Sequence, residues 1–171
     1  MTTHQIWVFN GLYFMLSVVV AIVTRATARR IVGAVAGGLA AGVAALGIIA
    51  LGERTGRWHM EMTWRPYFLF LLVLDLALCA FVFLITWRIA RRFGARGLIV
   101  VAIFVALVGP FRDYWYMSRF PEWGTYSWDA RTVLAISAAY VLLGTLGHGV
   151  MRLVAGPARS DRLARVPRQA V

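Results

Sequence analysis

One carboxylate, Asp75, stands about eight residues into an otherwise apolar run at 67–87. An ionisable group is costly in hydrocarbon and marks a functional site by default. Two chemistries fit it. It is a proton carrier, as a small proton-coupled transporter needs, or a protonated acid hydrogen-bonded across helices as packing glue. A partner must lie at similar depth. Tyr140, about eight residues into the last apolar run, is the depth-matched expectation, with Ser137 near it. His148 lies roughly 12 Å further along. Set between Gly147 and Gly149, it has the chemistry of a proton shuttle or a haem ligand; a packed histidine is the plainer reading.

The second acid cluster lies in 111–129, which holds eight aromatic residues. Asp113 and Glu122, candidate catalytic residues, would form an acid pair at the mouth of a bundle. Aromatic walls with carboxylates suit a lipid-soluble, polyene-like substrate whose double bond an acid protonates. The plainer alternative is an interfacial anchor. In it Arg119 and Glu122 pair at i, i+3, Pro110 and Pro121 bracket a short interfacial helix, and Tyr114, Trp115, Trp123 and Trp128 form an aromatic cap. From Asp113 to Trp123 the chain is faintly similar to the Asp…Trp arrangement of membrane lycopene cyclase domains. That resemblance implies cyclisation of a polyene, but the Pro-x-Glu-Glu motif of that family has no counterpart near Val133-Leu134-Ala135-Ile136.

No cofactor and no metal are expected. His4 and the His59-Met60-Glu61-Met62 run offer donors, but not at a recognised zinc spacing. Gly-rich phosphate loops, nucleophile elbows and HExxH sequences are absent.

The elements that must position these residues are apolar. Of the 171 residues, 61% are hydrophobic and 15% charged, against about 45–50% and about 25% in soluble domains. Disordered chains, disulfide scaffolds and ordinary soluble enzymes are excluded, and the lone cysteine, Cys79, allows no internal disulfide. Apolar runs predict an all-α polytopic transmembrane bundle with five spans, at about 6–24, 31–52, 67–87, 95–111 and 132–155. The fourth apolar core, 97–111, is short; it crosses by borrowing 93–96, with Arg96 snorkelling, or else it is re-entrant. Residues 1–155 form one domain and 156–171 a short basic cytoplasmic tail.

All 18 basic residues are arginine. Twelve lie in 25–30, 88–96 and the segment from Arg152 on, against the single acid Asp161. The intervening connections hold six arginines and five acids. That alternation is the positive-inside pattern, with the N-terminus outside and the C-terminus inside, rather than a nucleic-acid footprint. It predicts a multi-pass protein of the inner membrane.

Gly33-x-x-x-Gly37 and Gly38-x-x-x-Gly42 give the second span a small-residue face, for internal packing or for a homodimer. Thr, Ala, Arg and Arg recur at the same offsets in 23–30 and 85–92, and Trp58-His59-Met60 echoes Trp115-Tyr116-Met117. A duplicated helical hairpin is one source of such an echo. The expectation is a non-enzymatic membrane subunit, scaffold or lipophilic-ligand binder. The partners are the lipid bilayer, a lipophilic small molecule, and a homodimer or larger membrane complex, with no nucleic acid. The alternatives are a membrane enzyme acting on an isoprenoid or other lipid, and a proton-coupled transporter using Asp75.

Overall fold

The computed structural model describes residues 3–60, 65–121 and 124–158. Its elements are α1 (Thr3–Thr24), α2 (Ala28–Arg54), β1 (Trp58–His59), α3 (Pro66–Leu78), α4 (Ala80–Arg119), β2 (Thr125–Tyr126) and α5 (Ala130–Ala155). Four helices, α1, α2, α4 and α5, are long and apolar enough to cross a membrane. Large apolar side chains face outward along them: Leu153 is 86% exposed and Leu134 69%. That is an outer surface suited to lipid, and the molecule is a membrane-embedded helical bundle.

The small residues of α2 decide its neighbour. A methyl on Gly33 would stand 2.8 Å from Ala155 Cβ and 3.1 Å from the Met151 carbonyl oxygen. One on Gly37 would be driven into the Gly147 carbonyl. Ascending positions on α2 thus meet descending positions on α5, and the two helices run antiparallel in near backbone contact. Gly38 and Gly42 are buried as well. Of the two uses expected for this face, Gly33 and Gly37 serve internal packing.

α1 and α3 run parallel. Asn10 Nδ2 donates to the Leu71 carbonyl at 3.4 Å, and Ser17 Oγ to that of Leu78 at 2.6 Å. The third apolar run, expected as an unbroken helix, is interrupted at Cys79, where ψ reaches 6°. α4 then carries a sharper break. Gly94 has φ 63° and ψ −146°, which side chains other than glycine's disfavour. A methyl on Gly97 would lie 2.6 Å from Ile89 Cγ2. Eight residues of straight helix would separate those positions by about 12 Å, so the chain doubles back, and α4 is two arms, 80–93 and 95–119. The second arm is about 37 Å long at 1.5 Å per residue. It extends well past the 97–111 apolar core because helix continues through the aromatic stretch. No separate interfacial helix forms between Pro110 and Pro121; 111–119 completes α4.

The sequence echoes do not share a structure. Residues 23–30 contain the α1–α2 turn, with Arg25 at φ 52°, whereas 85–92 are helical throughout. Trp58-His59 is a strand, but Trp115-Tyr116-Met117 is helix. The local resemblance therefore reflects similar composition at helix ends rather than equivalent hairpins.

The closest-packed core joins Ala34, Ala80, Phe83, Leu84, Trp87 and Met151. Beside it Arg30 is only 2% exposed. Its guanidinium lies 5.4 Å from the Trp87 ring centroid and donates to the carbonyls of Gly156 (2.7 Å) and Pro157 (3.0 Å). A cation from the start of α2 thereby caps carbonyls that follow α5. The opposite end is closed by the antiparallel β1–β2 pair, Trp58 facing Tyr126 and His59 facing Thr125. Trp58 lies over Gly52 and donates Nε1–H to the Ile49 carbonyl at 3.2 Å.

Candidate functional site

The ribbon end of the bundle gathers the polar chemistry. It begins with Pro110, buried inside α4. Proline has no amide hydrogen, so the carbonyl four residues earlier, Ala106, loses its helical donor. Ser137 on α5 supplies the replacement, its Oγ donating to that oxygen at 2.6 Å. In hydrocarbon such a repair is close to obligatory.

One turn further along α5 stands Tyr140. Its ring lies against Gly109, where any side chain would collide with it. Its hydroxyl donates to Asp113 Oδ1 at 2.7 Å. Arg112 binds the same oxygen through Nη2 (3.0 Å) and Nε (3.2 Å), and its guanidinium lies 5.3 Å from the Tyr140 ring centroid. One carboxylate oxygen thus takes a phenol and a guanidinium, while the ring supports the cation. The Arg112 side chain remains 55% exposed and that of Asp113 28%. Tyr13 on α1 lies near enough to act electrostatically on both Arg112 and Tyr140.

Tyr140 therefore has Asp113 as a partner, one that the depth-matching to Asp75 did not anticipate. In the sequence Asp113 falls beyond the fourth apolar run, at the mouth of the expected bundle. The continuation of α4 through the aromatic stretch instead brings Asp113 against α5. Asp75 is in α3, but its side chain lies outside the described residues, as do Glu122 and Trp123. The Asp113–Glu122 pair is accordingly not something the described residues bring together. His148 sits nearer the arginine end, its Nδ1 2.9 Å from Thr86 Oγ1. Thr86 gives its proton to the Phe83 carbonyl at 3.0 Å, so its oxygen is free to accept from the imidazole, a packed arrangement.

Two of the aromatic residues singled out in sequence, Tyr114 and Trp128, pack together. Trp128 packs on Tyr114 with centroids 4.7 Å apart and on Phe111 at 5.3 Å, and Tyr126 packs on Tyr114 at 6.2 Å. Trp115 meets the neighbouring Tyr116 edge-on at 5.2 Å. Burial pushes the Tyr126 phenol up to about 12, helped by the negative charges of Asp113 and Asp129. Asp129 caps α5. The Thr132 hydroxyl first, then the Thr132 and Arg131 amides, hold its carboxyl below the ordinary carboxylate value.

Two polar atoms here are buried without a hydrogen-bond partner among the described residues, Asn10 Oδ1 and the Tyr126 hydroxyl oxygen. Asn10 is 2% exposed. Sequence reasoning passed over Asn10, Tyr13, Arg112 and Tyr126. A polar Asn inside the first apolar run was the available signal for the first. The described residues contain no cluster of three or more metal-type ligands.

Around Ala106 and Ser137, α4 and α5 leave a groove of about 550 Å³ open to the bundle's outer surface. Ala106, Leu134, Ala138, Val141 and Leu142 give it an apolar lining, with Ser137 and Thr145 as its polar members. No family model, no curated protein and no solved structure matches the chain.

Proposed function

We propose that this protein is a non-catalytic, multi-pass protein of the inner membrane that holds a lipophilic chain in the α4–α5 groove. The observation that carries this reading is the groove itself. It is apolar and opens sideways to where acyl chains lie, with Ser137 and Thr145 as its polar lining. Apolar lining with a few convergent polar groups is the usual composition of a lipophilic-ligand site. Asp113 already binds Arg112 and Tyr140 through one oxygen, which favours a structural anchor over a proton donor to a polyene.

Five crossings are part of the proposal: α1, α2, α3 with the first arm of α4, the second arm of α4, and α5. The fold-back at Gly94 supports counting α4 twice. Arginines 25, 29, 30, 88, 91, 92, 96 and 152 then fall at one end with no acid among the described residues there. Glu53, Asp113 and Asp129 fall at the other. Positive-inside asymmetry makes the arginine end cytoplasmic and the ribbon end external.

Native mass spectrometry with lipid extraction, on protein purified in mild detergent, tests the binding reading. A stoichiometric isoprenoid or lipid that Ala138→Trp displaces is the expected result. A bare protein carrying only exchangeable bulk phospholipid in both forms refutes it.

A further inference from the structure

A second concavity, of about 390 Å³, lies at the ribbon end between the close of α2 and the start of α5. Two hydrogen bonds to one atom fix its walls. The amide and hydroxyl of Ser127 both donate to the Arg57 carbonyl, at 3.2 and 2.9 Å. The β1–β2 pair continues the seam.

Most polar groups around the cup are already satisfied. Thr55 Oγ1 donates to the Leu51 carbonyl at 3.0 Å. Asp129 Oδ1 takes the amides of Arg131 and Thr132, and Oδ2 takes the Thr132 hydroxyl at 2.8 Å. The α5 N-terminus is therefore occupied by its own cap. The exceptions are the guanidiniums of Arg57 and Arg131, two of the residues that line the cup. Among the described residues, neither forms an ion pair with a carboxylate. With Asp129 counted, the cup still carries net positive charge and ten guanidinium N–H groups.

We infer that this cup binds a phosphate-type anion between Arg57 and Arg131. The fork of N–H groups on each arginine matches phosphate oxygens in geometry and charge. The cup's place at the end of the apolar helices gives such a group two sources, a phospholipid headgroup at the interface or a soluble phosphate. The inference does not depend on the α4–α5 groove.

The test uses the full chain. Inorganic phosphate is titrated by calorimetry into detergent-purified protein. In parallel, protein released from phosphatidylglycerol–phosphatidylcholine nanodiscs is weighed for retained lipid. One charge-assisted contact corresponds to about tenfold in affinity. Arg57→Gln with Arg131→Gln is therefore expected to weaken binding about 100-fold, and the Lys pair, which keeps both charges, by much less. Arg54→Gln with Arg65→Gln removes the same charge outside the cup and is expected to leave binding within about twofold. Saturable phosphate binding assigns a soluble ligand; retained phosphatidylglycerol that phosphate does not displace assigns a headgroup. Equal losses from the two Gln pairs, or no saturable binding in either arm, overturn the inference. Should the cup pair fail to fold, Arg131→Gln alone, at an exposed position, carries the test with about tenfold loss.

Discussion

Gly37→Ala sets the α2–α5 contact against intrinsic helix propensity. Alanine is the better helix former by about 1 kcal/mol, so on propensity alone the substitution stabilises. The structure reverses the sign. The added methyl meets the Gly147 carbonyl, backbone against backbone, and no rotamer relieves it. The helices must separate, and overpacking of this kind costs about 1–3 kcal/mol. Gly47→Ala is the internal control, on the same helix with nothing within 4 Å of the new methyl. It is expected to be neutral or stabilising by up to about 1 kcal/mol. The propensity gain is common to both variants, so they should differ by the overpacking cost alone, about 1–3 kcal/mol. Unfolding by titration with a denaturing detergent, or by steric trapping in bicelles, resolves that gap. Equal stability of the two alanine variants would refute the close α2–α5 contact. A defect in Gly37→Ala seen only above a threshold protein concentration would assign the face to a homodimer instead.

Ser137→Ala should cost about 1 kcal/mol in the wild-type background and less in Pro110→Ala, where a restored amide can reach the Ala106 carbonyl; a double-mutant cycle in the same unfolding assay measures the difference. The Tyr140→Phe and Asp113→Asn pair should show coupling of about 0.6–1.7 kcal/mol, the range for hydrogen bonds between membrane helices; additive losses would dissolve the cluster. Asp129, whose folded value is lowered, contributes stability fully present above the ordinary carboxylate value of about 3.9. That contribution is lost as pH falls through the depressed folded value. Asp129→Asn keeps a capping side chain and should remove this acid step from a plot of Tm against pH.

How much of this was legible depended on which physical signal each feature leaves in sequence. Apolar run length gave the helices of the bundle, and the α2 glycines pointed to a close contact whose partner only the structure names. Gly94 was overlooked because a single glycine in an arginine-rich segment looks like any other; its positive φ is set by the tertiary fold-back. Helix depth alone paired Tyr140 with Asp75, since nothing local says that α4 runs on to Arg119. Ser137 was singled out only for its depth beside Tyr140. Its acceptor, the Ala106 carbonyl, is exposed by Pro110, and a proline-freed carbonyl has no signature beyond the proline itself.

The contact between Arg30 and the carbonyls of Gly156 and Pro157 also bears on biosynthesis. It joins positions 126 and 127 residues apart, near the two ends of the helical chain. While the ribosome is still making the intervening helices, the guanidinium beside Trp87 lacks those acceptors, and the glycine face of α2 lacks the helix it fits. The earlier helices must therefore reside in the bilayer as a provisional assembly until α5 arrives. A chain arrested before residue 130 should remain accessible to membrane quality-control proteases, and completion of the last helix should be the event that closes that window.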